Sequence, residues 1–151
     1  MEYIENNTKV DGCVFCLMHE REDSAENLIA YRGRYAFVIL NRYPYTSGHL
    51  MVVPFEHKSN LEELDSETRA EMMELTARCM RVLRQIYNPQ GFNMGANIGE
   101  AAGAGIKEHV HIHIVPRWAG DTNFMSAVGE TRVLPETLAS TFERVKKGFE
   151  G

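Results

Sequence analysis

Basic residues are in the minority in this chain: 16 Lys and Arg stand against 21 Asp and Glu, leaving a formal charge of −5. That balance argues against a protein whose work is to neutralise a long nucleic-acid backbone, which calls for a basic stripe. Small anions are a separate matter, because backbone amides and a few local cations can hold a phosphate inside an acidic protein. Long apolar runs are missing as well. No stretch approaches the roughly 20 residues of a membrane span, and the opening MEYIENNTKVDGC lacks the basic and apolar regions of an export signal. A cytoplasmic protein without a membrane or nucleic-acid partner is therefore expected. Cysteine is scarce too, three residues in all, which without an export signal argues against a disulfide framework and directs attention to a metal site or buried thiols. What remains is ordinary: 44% hydrophobic and 25% charged residues over 151 positions suit one domain, residues 1–151, folded around one core.

Hydrophobic patterning supplies the elements. NLIAYRGRYAFVILN offers strands Leu28 to Arg32 and Tyr35 to Leu40, broken at Gly33 and Arg34 as in a hairpin, and His49 to Val53 forms another strand stopped by Pro54. In SNLEELDSETRAEMMELTARCMRVLRQIYNPQG, Ser59 and Glu62 match a capping box, and Asp65 or Ser66 can cap the longer helix that follows. Met72, Leu75, Cys79, Leu83 and Ile86 make its apolar stripe, and Pro89 and Gly91 end it. FNMGANIG reads as strand, EAAGAGIKE as a small-residue loop and HVHIHIVP as a last strand stopped by Pro116. LPETLASTFERVKKGF gives a C-terminal helix with Pro135 near its first turn. The class this predicts is α+β: a mostly antiparallel sheet with one long helix and a C-terminal helix.

Three of the six histidines, His109, His111 and His113, alternate with Val110, Ile112 and Ile114. Strand alternation puts the imidazoles on one face and the aliphatics on the other. Three buried imidazoles without partners would each cost about 1–3 kcal/mol, so the histidine face is read as a site. Imidazole serves as metal ligand, proton shuttle or nucleophile. The preceding loop carries Gly99, Gly103 and Gly105, and small residues there let backbone N–H groups approach an anion. A phosphoryl group beside a nucleophilic imidazole is the chemistry this combination suggests.

With GCVFC, AFVILNRYPYTSGHLMVVPFEH, FNMGANIGEAAGAG, HVHIHIV and PRWAGDTNFM all in order, the chain resembles the histidine triad (HIT) family, whose signature is His-φ-His-φ-His-φ-φ with φ apolar. It is most similar to the members that cleave dinucleoside polyphosphates of the diadenosine tetraphosphate type. The resemblance implies a HIT-like fold and an enzyme in which His111 attacks the α-phosphorus to form a nucleotidyl-histidine, with His113 on the phosphate and phosphate or water completing the reaction. It places Asn41 on ribose hydroxyls, Asn97 on phosphate and His49 behind the site, with the Gly103, Gly105 and Ile106 loop in the nucleotide-binding set. A homodimer or larger assembly is implied, with the long helix and FNMGAN at the interface. Many members carry a hydroxyl residue shortly before the triad where this chain has Gly105, Ile106 and Lys107; of the two alternatives, the missing hydroxyl weighs against a nucleoside phosphoramidate hydrolase and the intact HVHIHIV against a nucleotide-binding module, and Lys107 stands as a substitute for the hydroxyl or as a solvated surface lysine.

Cys13 and Cys16 form a C-x-x-C pair, whose spacing fits a tetrahedral metal but also a redox pair or two buried thiols. The resemblance names His57 and His109 as the remaining ligands of a structural zinc, leaving His111 for chemistry. Cys79 falls on the apolar stripe of the helix and reads as core, His19 as a solvated surface residue. Trp118 is open between base stacking, covering a partner's site and plugging the core edge.

Overall fold

Two apolar runs separated by a glycine-bearing break build the first hairpin: β1 (Ile29–Arg32) pairs antiparallel with β2 (Ala36–Leu40). The computed structural model of the chain describes residues 12–22, 24–106, 108–121 and 136–151. Lys107, Pro135 and residues 122–125 of PRWAGDTNFM lie outside them. The hairpin turn is held from a distance. Glu71 accepts main-chain N–H bonds from Tyr35 at 2.7 Å and Ala36 at 2.9 Å, so a charge lying off the helix stripe serves the turn.

β3 (Leu50–Pro54), β4 (Gly91–Gly95) and β5 (Ile112–Arg117) complete a five-stranded antiparallel sheet in the order β1-β2-β3-β5-β4. Directly paired residues share a face, so the register separates two surfaces. Val38, Val52 and Ile112 form one row and Leu40, Leu50 and Ile114 another; these lie under the helices α2 (Ser66–Tyr87) and α3 (Leu138–Glu150), which pack on the sheet and on each other. The opposite face carries the row Ile39, Met51, His113, Gly95 across β2, β3, β5 and β4. The short α1 (Val14–His19) brings buried Phe15 against the histidines that begin the triad.

The expected stripe of α2 is buried at Met72, Leu75, Cys79 and Leu83, with Val82 added and Ile86 half-buried. Asp65 caps the helix by accepting from Thr68 N–H at 2.9 Å, and Asn88, in the left-handed region at φ 51°, closes it before Pro89. No helix of the described residues is long and apolar enough to cross a membrane.

Beyond one-residue shifts at β1, β2 and β3, the last of which includes Pro54 and does not stop before it, three features differ from expectation. The capping box forms one residue later, at Asn60 and Glu63, because Ser59 Oγ donates instead to the carbonyl of Glu108 at 3.4 Å. β4 stops at Gly95 and does not run on to Gly99, which has φ +87° and opens a 3₁₀ turn over Glu100–Ala102. β5 begins at Ile112, three residues after His109, and continues through Pro116 to Arg117. Its expected first residues are diverted because Val110 N–H donates to the carbonyl of Lys58 at 2.8 Å and His109 turns toward the cysteines.

Gly48 sits at the entry to β3 with φ +89°, and a Cβ there would meet Leu83 Cδ2 at 3.0 Å, Tyr87 Cε2 at 3.1 Å and Pro116 Cγ at 3.3 Å. Gly48→Ala combines a left-handed backbone penalty with overpacking against the helix and β5. Destabilisation of about 2–4 kcal/mol is expected in urea unfolding; an unchanged midpoint would contradict this account of the β3 entry.

Candidate active site and metal cluster

His111 lies immediately before β5 and is buried. Its Nδ1 is 2.9 Å from the main-chain carbonyl of His109. A carbonyl only accepts, so Nδ1 carries the proton and, in the neutral ring, Nε2 keeps its lone pair. Burial lowers the pKa of this ring, opposed by that same hydrogen bond, and the neutral form is the one able to attack an electrophile. Phe15 and His113 flank it, with ring centroids at 4.9 and 4.8 Å.

His113 is held by a relay through His49, the residue before β3. The Tyr45 N–H donates to His49 Nδ1 at 3.2 Å, so neutral His49 carries its proton on Nε2 and donates it to His113 Nδ1 at 2.9 Å. The proton of neutral His113 is thereby on Nε2, turned away from His49 and able to donate to an anion. Asn41 Nδ2 also lies 3.3 Å from His49 Nε2, while its Oδ1 accepts from Tyr43 N–H at 2.8 Å. Burial, with His111 beside it, pushes the His113 pKa down to about 4.

His109 faces elsewhere. Its Nε2–H donates to the Pro54 carbonyl at 2.8 Å, which directs the Nδ1 lone pair to Cys13 Sγ at 3.2 Å and Cys16 Sγ at 3.7 Å. His57 Nδ1 is 3.3 Å from Cys16 Sγ. The four ligand atoms of Cys13, Cys16, His57 and His109 lie within 4.8 Å of one another. Tetrahedral bonds to zinc give ligand–ligand edges of about 3.3–3.8 Å, and the Pro54 carbonyl supplies the outer hydrogen bond that fixes a ligating imidazole. This donor set fits a closed zinc site. Burial and the neighbouring Cys13 push the Cys16 thiol up to about 12, a penalty on the thiolate that a bound cation would reverse.

Two clefts flank the histidines. One, of about 370 Å³, is lined by Val14, Phe15, Met18, Leu28, Ile39, Met51 and Ile106, with Asn41, Arg42 and Tyr43 at its polar edge. The other, of about 380 Å³, is lined by Tyr45, Asn93, Met94, Gly95, Asn97, His113, Val115 and Arg117. Of the residues singled out in the sequence, Asn41 and Ile106 thus line the first cleft and Asn97 and His113 the second. Gly103 and Gly105 lie exposed in the connecting loop and line neither. Trp118 is half-buried edge-on to the Tyr87 ring at 6.5 Å and also lines neither. His19 is half-buried between the rings of Phe37 and Phe55, not solvated.

Sequence reasoning missed Phe15, Tyr43, Tyr45 and the cleft position of Arg117. The spacing of C-x-x-C hides Phe15 between the cysteines, and the two tyrosines read as ordinary loop residues.

The profile of a family described as HIT domain matches residues 22–120. Over 116 residues the chain is 45% identical to the AP-4-A phosphorylase of Mycobacterium tuberculosis, a match covering 77% of this chain and 60% of that protein; the chain thus spans less than two thirds of that relative's length. It is 27% identical to Protein hit of Bacillus subtilis over 91% of this chain and 94% of the other. Among solved structures it resembles a zinc-bound histidine triad family protein of Mycobacterium smegmatis, with a TM-score of 0.73, 25% identity and coverage of 93% and 95% of the two chains.

The His49 relay has a pH consequence. Because the folded His113 pKa lies near 4 and its ordinary value is 6.5, the unfolded chain takes up this proton first. The contribution of His113 to stability is therefore complete above about pH 6.5 and is lost as pH falls toward 4. Nitrogen-15 imidazole spectra should show His113 neutral and protonated on Nε2 down to about pH 5; titration near 6.5, or the opposite tautomer, would contradict the relay.

Proposed function

The chain belongs to the HIT domain family, and on that premise we propose that it is an enzyme that cleaves dinucleoside polyphosphates of the diadenosine tetraphosphate type at the α-phosphate through a nucleotidyl-histidine on His111. The observation that carries this reading is the fixed tautomer of His111: Nδ1–H is committed to the His109 carbonyl, so Nε2 keeps its lone pair, on a ring packed against Phe15, which lines the apolar cleft. The name of the Mycobacterium tuberculosis relative supports the substrate class.

The cleft formed by Phe15, Ile39, Met51 and Ile106 suits one nucleoside, with Asn41 at its edge for ribose hydroxyls. His111 Nε2 attacks the α-phosphorus, an N–P bond forms, and the P–O bond to the departing nucleotide breaks with its electron pair, the leaving oxygen taking its proton from solvent. His113 Nε2–H and Asn97 hold the phosphoryl oxygens. Water or inorganic phosphate then attacks phosphorus, the N–P bond breaks and the Nε2 lone pair returns. Trp118, packed on Tyr87, could meet a nucleotide only from outside these clefts.

Zinc on Cys13, Cys16, His57 and His109 would be structural, since a closed Cys2His2 set leaves no position for substrate. It would tie α1 and the loop before β5 together; the zinc-bound Mycobacterium smegmatis relative supports it. A homodimer is supported by β4 being an edge strand and by exposed Met73 on α2.

Incubation with diadenosine tetraphosphate, with and without inorganic phosphate, tests the activity. ADP with ATP appearing only with phosphate identifies phosphorolysis, and AMP with ATP in its absence identifies hydrolysis. No cleavage in either would refute the reading and turn attention to phosphoramidates or to a binding role. His111→Ala should lower kcat by at least about a thousandfold while nucleotide still binds; full turnover by that variant would rule out His111 as nucleophile. For the metal, elemental analysis should find one zinc per chain, lost in Cys16→Ser with a fall in Tm on the order of 10 °C. A zinc-free protein whose Tm ignores both chelator and the substitution would remove the metal from the account.

A further inference from the structure

A substrate with two nucleosides needs two places to put them, and the sheet register sets out both. Across one face, Ile39 on β2, Met51 on β3, His113 on β5 and Gly95 on β4 stand in one row. Ile39 and Met51 line the apolar cleft and His113 and Gly95 line the second one, so the two clefts follow one another along the row and meet where Met51 pairs with His113. One loop serves both: Tyr43 reaches the first cleft and Tyr45 the second.

The two clefts differ in chemistry. The first is mostly aliphatic. The second has a larger polar share and carries a guanidinium anchored across two strands and ion-paired to Asp121: Arg117 of β5 donates from Nη1 to Asn93 Oδ1 of β4 at 2.6 Å, and from Nε and Nη2 to Asp121 at 2.8 and 2.7 Å. Anchoring fixes where the guanidinium stands before any ligand arrives, which cuts the ordering cost of binding. His113, Val115 and Arg117 follow one another on the same face of β5, so His113 and Arg117 are separated along the strand by about 13 Å at roughly 3.3 Å per residue. A single phosphoryl group held at His113 does not bridge that length; a phosphate chain leading away from it does. Tyr45 is 48% exposed, with one side of its ring packed on His49 at 4.6 Å. It is thus fixed in orientation and offers an aromatic surface to the cleft.

We propose that the cleft of Tyr45, Asn93, Asn97 and Arg117 is the subsite for the departing nucleotide, with Arg117 on its phosphate chain and Tyr45 against its base. This rests on the nucleotidyl-transfer reading above and assigns the half of the substrate that the apolar cleft does not hold.

Two substrates that transfer the same AMP and differ only in what leaves separate the subsite from the chemistry: diadenosine tetraphosphate and the 4-nitrophenyl ester of AMP. In Arg117→Gln the ratio of kcat/KM for the dinucleotide to that for the aryl ester should fall about tenfold, the scale of one lost charge-assisted contact, through KM for the dinucleotide. Asn93→Asp, on the exposed edge strand, sets a carboxylate beside the phosphate path and should lower the same ratio, which keeps the test intact if Arg117→Gln fails to fold. An unchanged ratio in Asn93→Asp, or equal losses on both substrates, overturns the subsite. Native protein that cleaves the aryl ester and not the dinucleotide overturns the subsite alone, whereas native protein that cleaves neither overturns the nucleotidyl-transfer reading with it.

Discussion

The hydrogen bond from His111 Nδ1 to the main-chain carbonyl of His109 is the constraint from which the site follows. It decides which nitrogen of His111 keeps a lone pair, and its direction depends on how His109 itself is held. That residue is tied at three points: Nε2 to the Pro54 carbonyl, Nδ1 toward Cys13 and Cys16, and its following peptide to Lys58 through the Val110 N–H. The metal-type cluster and His111 are therefore one mechanical unit. Its role in the reaction would be to keep a carbonyl in place.

The sheet divides labour between its faces. Beneath it, Val38, Val52, Ile112, Leu40, Leu50 and Ile114 bury against α2 and α3, the apolar burial that supplies most of the driving force for folding. On the other face stand Ile39, Met51, His113 and Gly95, and the segments leading into β3 and β5 bring His49 and His111 beside them. Polar groups survive burial there because each finds a partner: His49 joins Tyr45 and His113, and His109 joins Pro54. Ser47 Oγ is the one buried side-chain polar atom among the described residues without a hydrogen bond.

Much of this was legible in the sequence, for identifiable reasons. The α+β class followed from periodicity, and the stripe of α2 from Met72 to Leu83 is buried as spacing required. The cysteines and histidines of the metal-type cluster, 13, 16, 57 and 109, meet as the resemblance implied. The three histidines do not sit together on one strand, however. Alternation describes β5 only from Ile112, because contacts from distant residues, Lys58 and the cysteines, redirect the chain before it. The capping box slipped by one residue for a similar reason, Ser59 being engaged with Glu108. Tyr45 and Arg117 gave no local signal; cross-strand register brings residues 93, 113 and 117 to one cleft, which the loop residues 45 and 97 also line.

The central claim is a covalent intermediate on one defined nitrogen. Native protein should be mixed briefly with diadenosine tetraphosphate, quenched in base to preserve the N–P bond, digested and analysed by mass spectrometry. The account predicts one adenylyl group on the peptide bearing His111, bonded through Nε2 and absent from the His111→Ala variant. Product formation with no adenylylated peptide at any quench time, or the adenylyl group on His113 or His49, would contradict it.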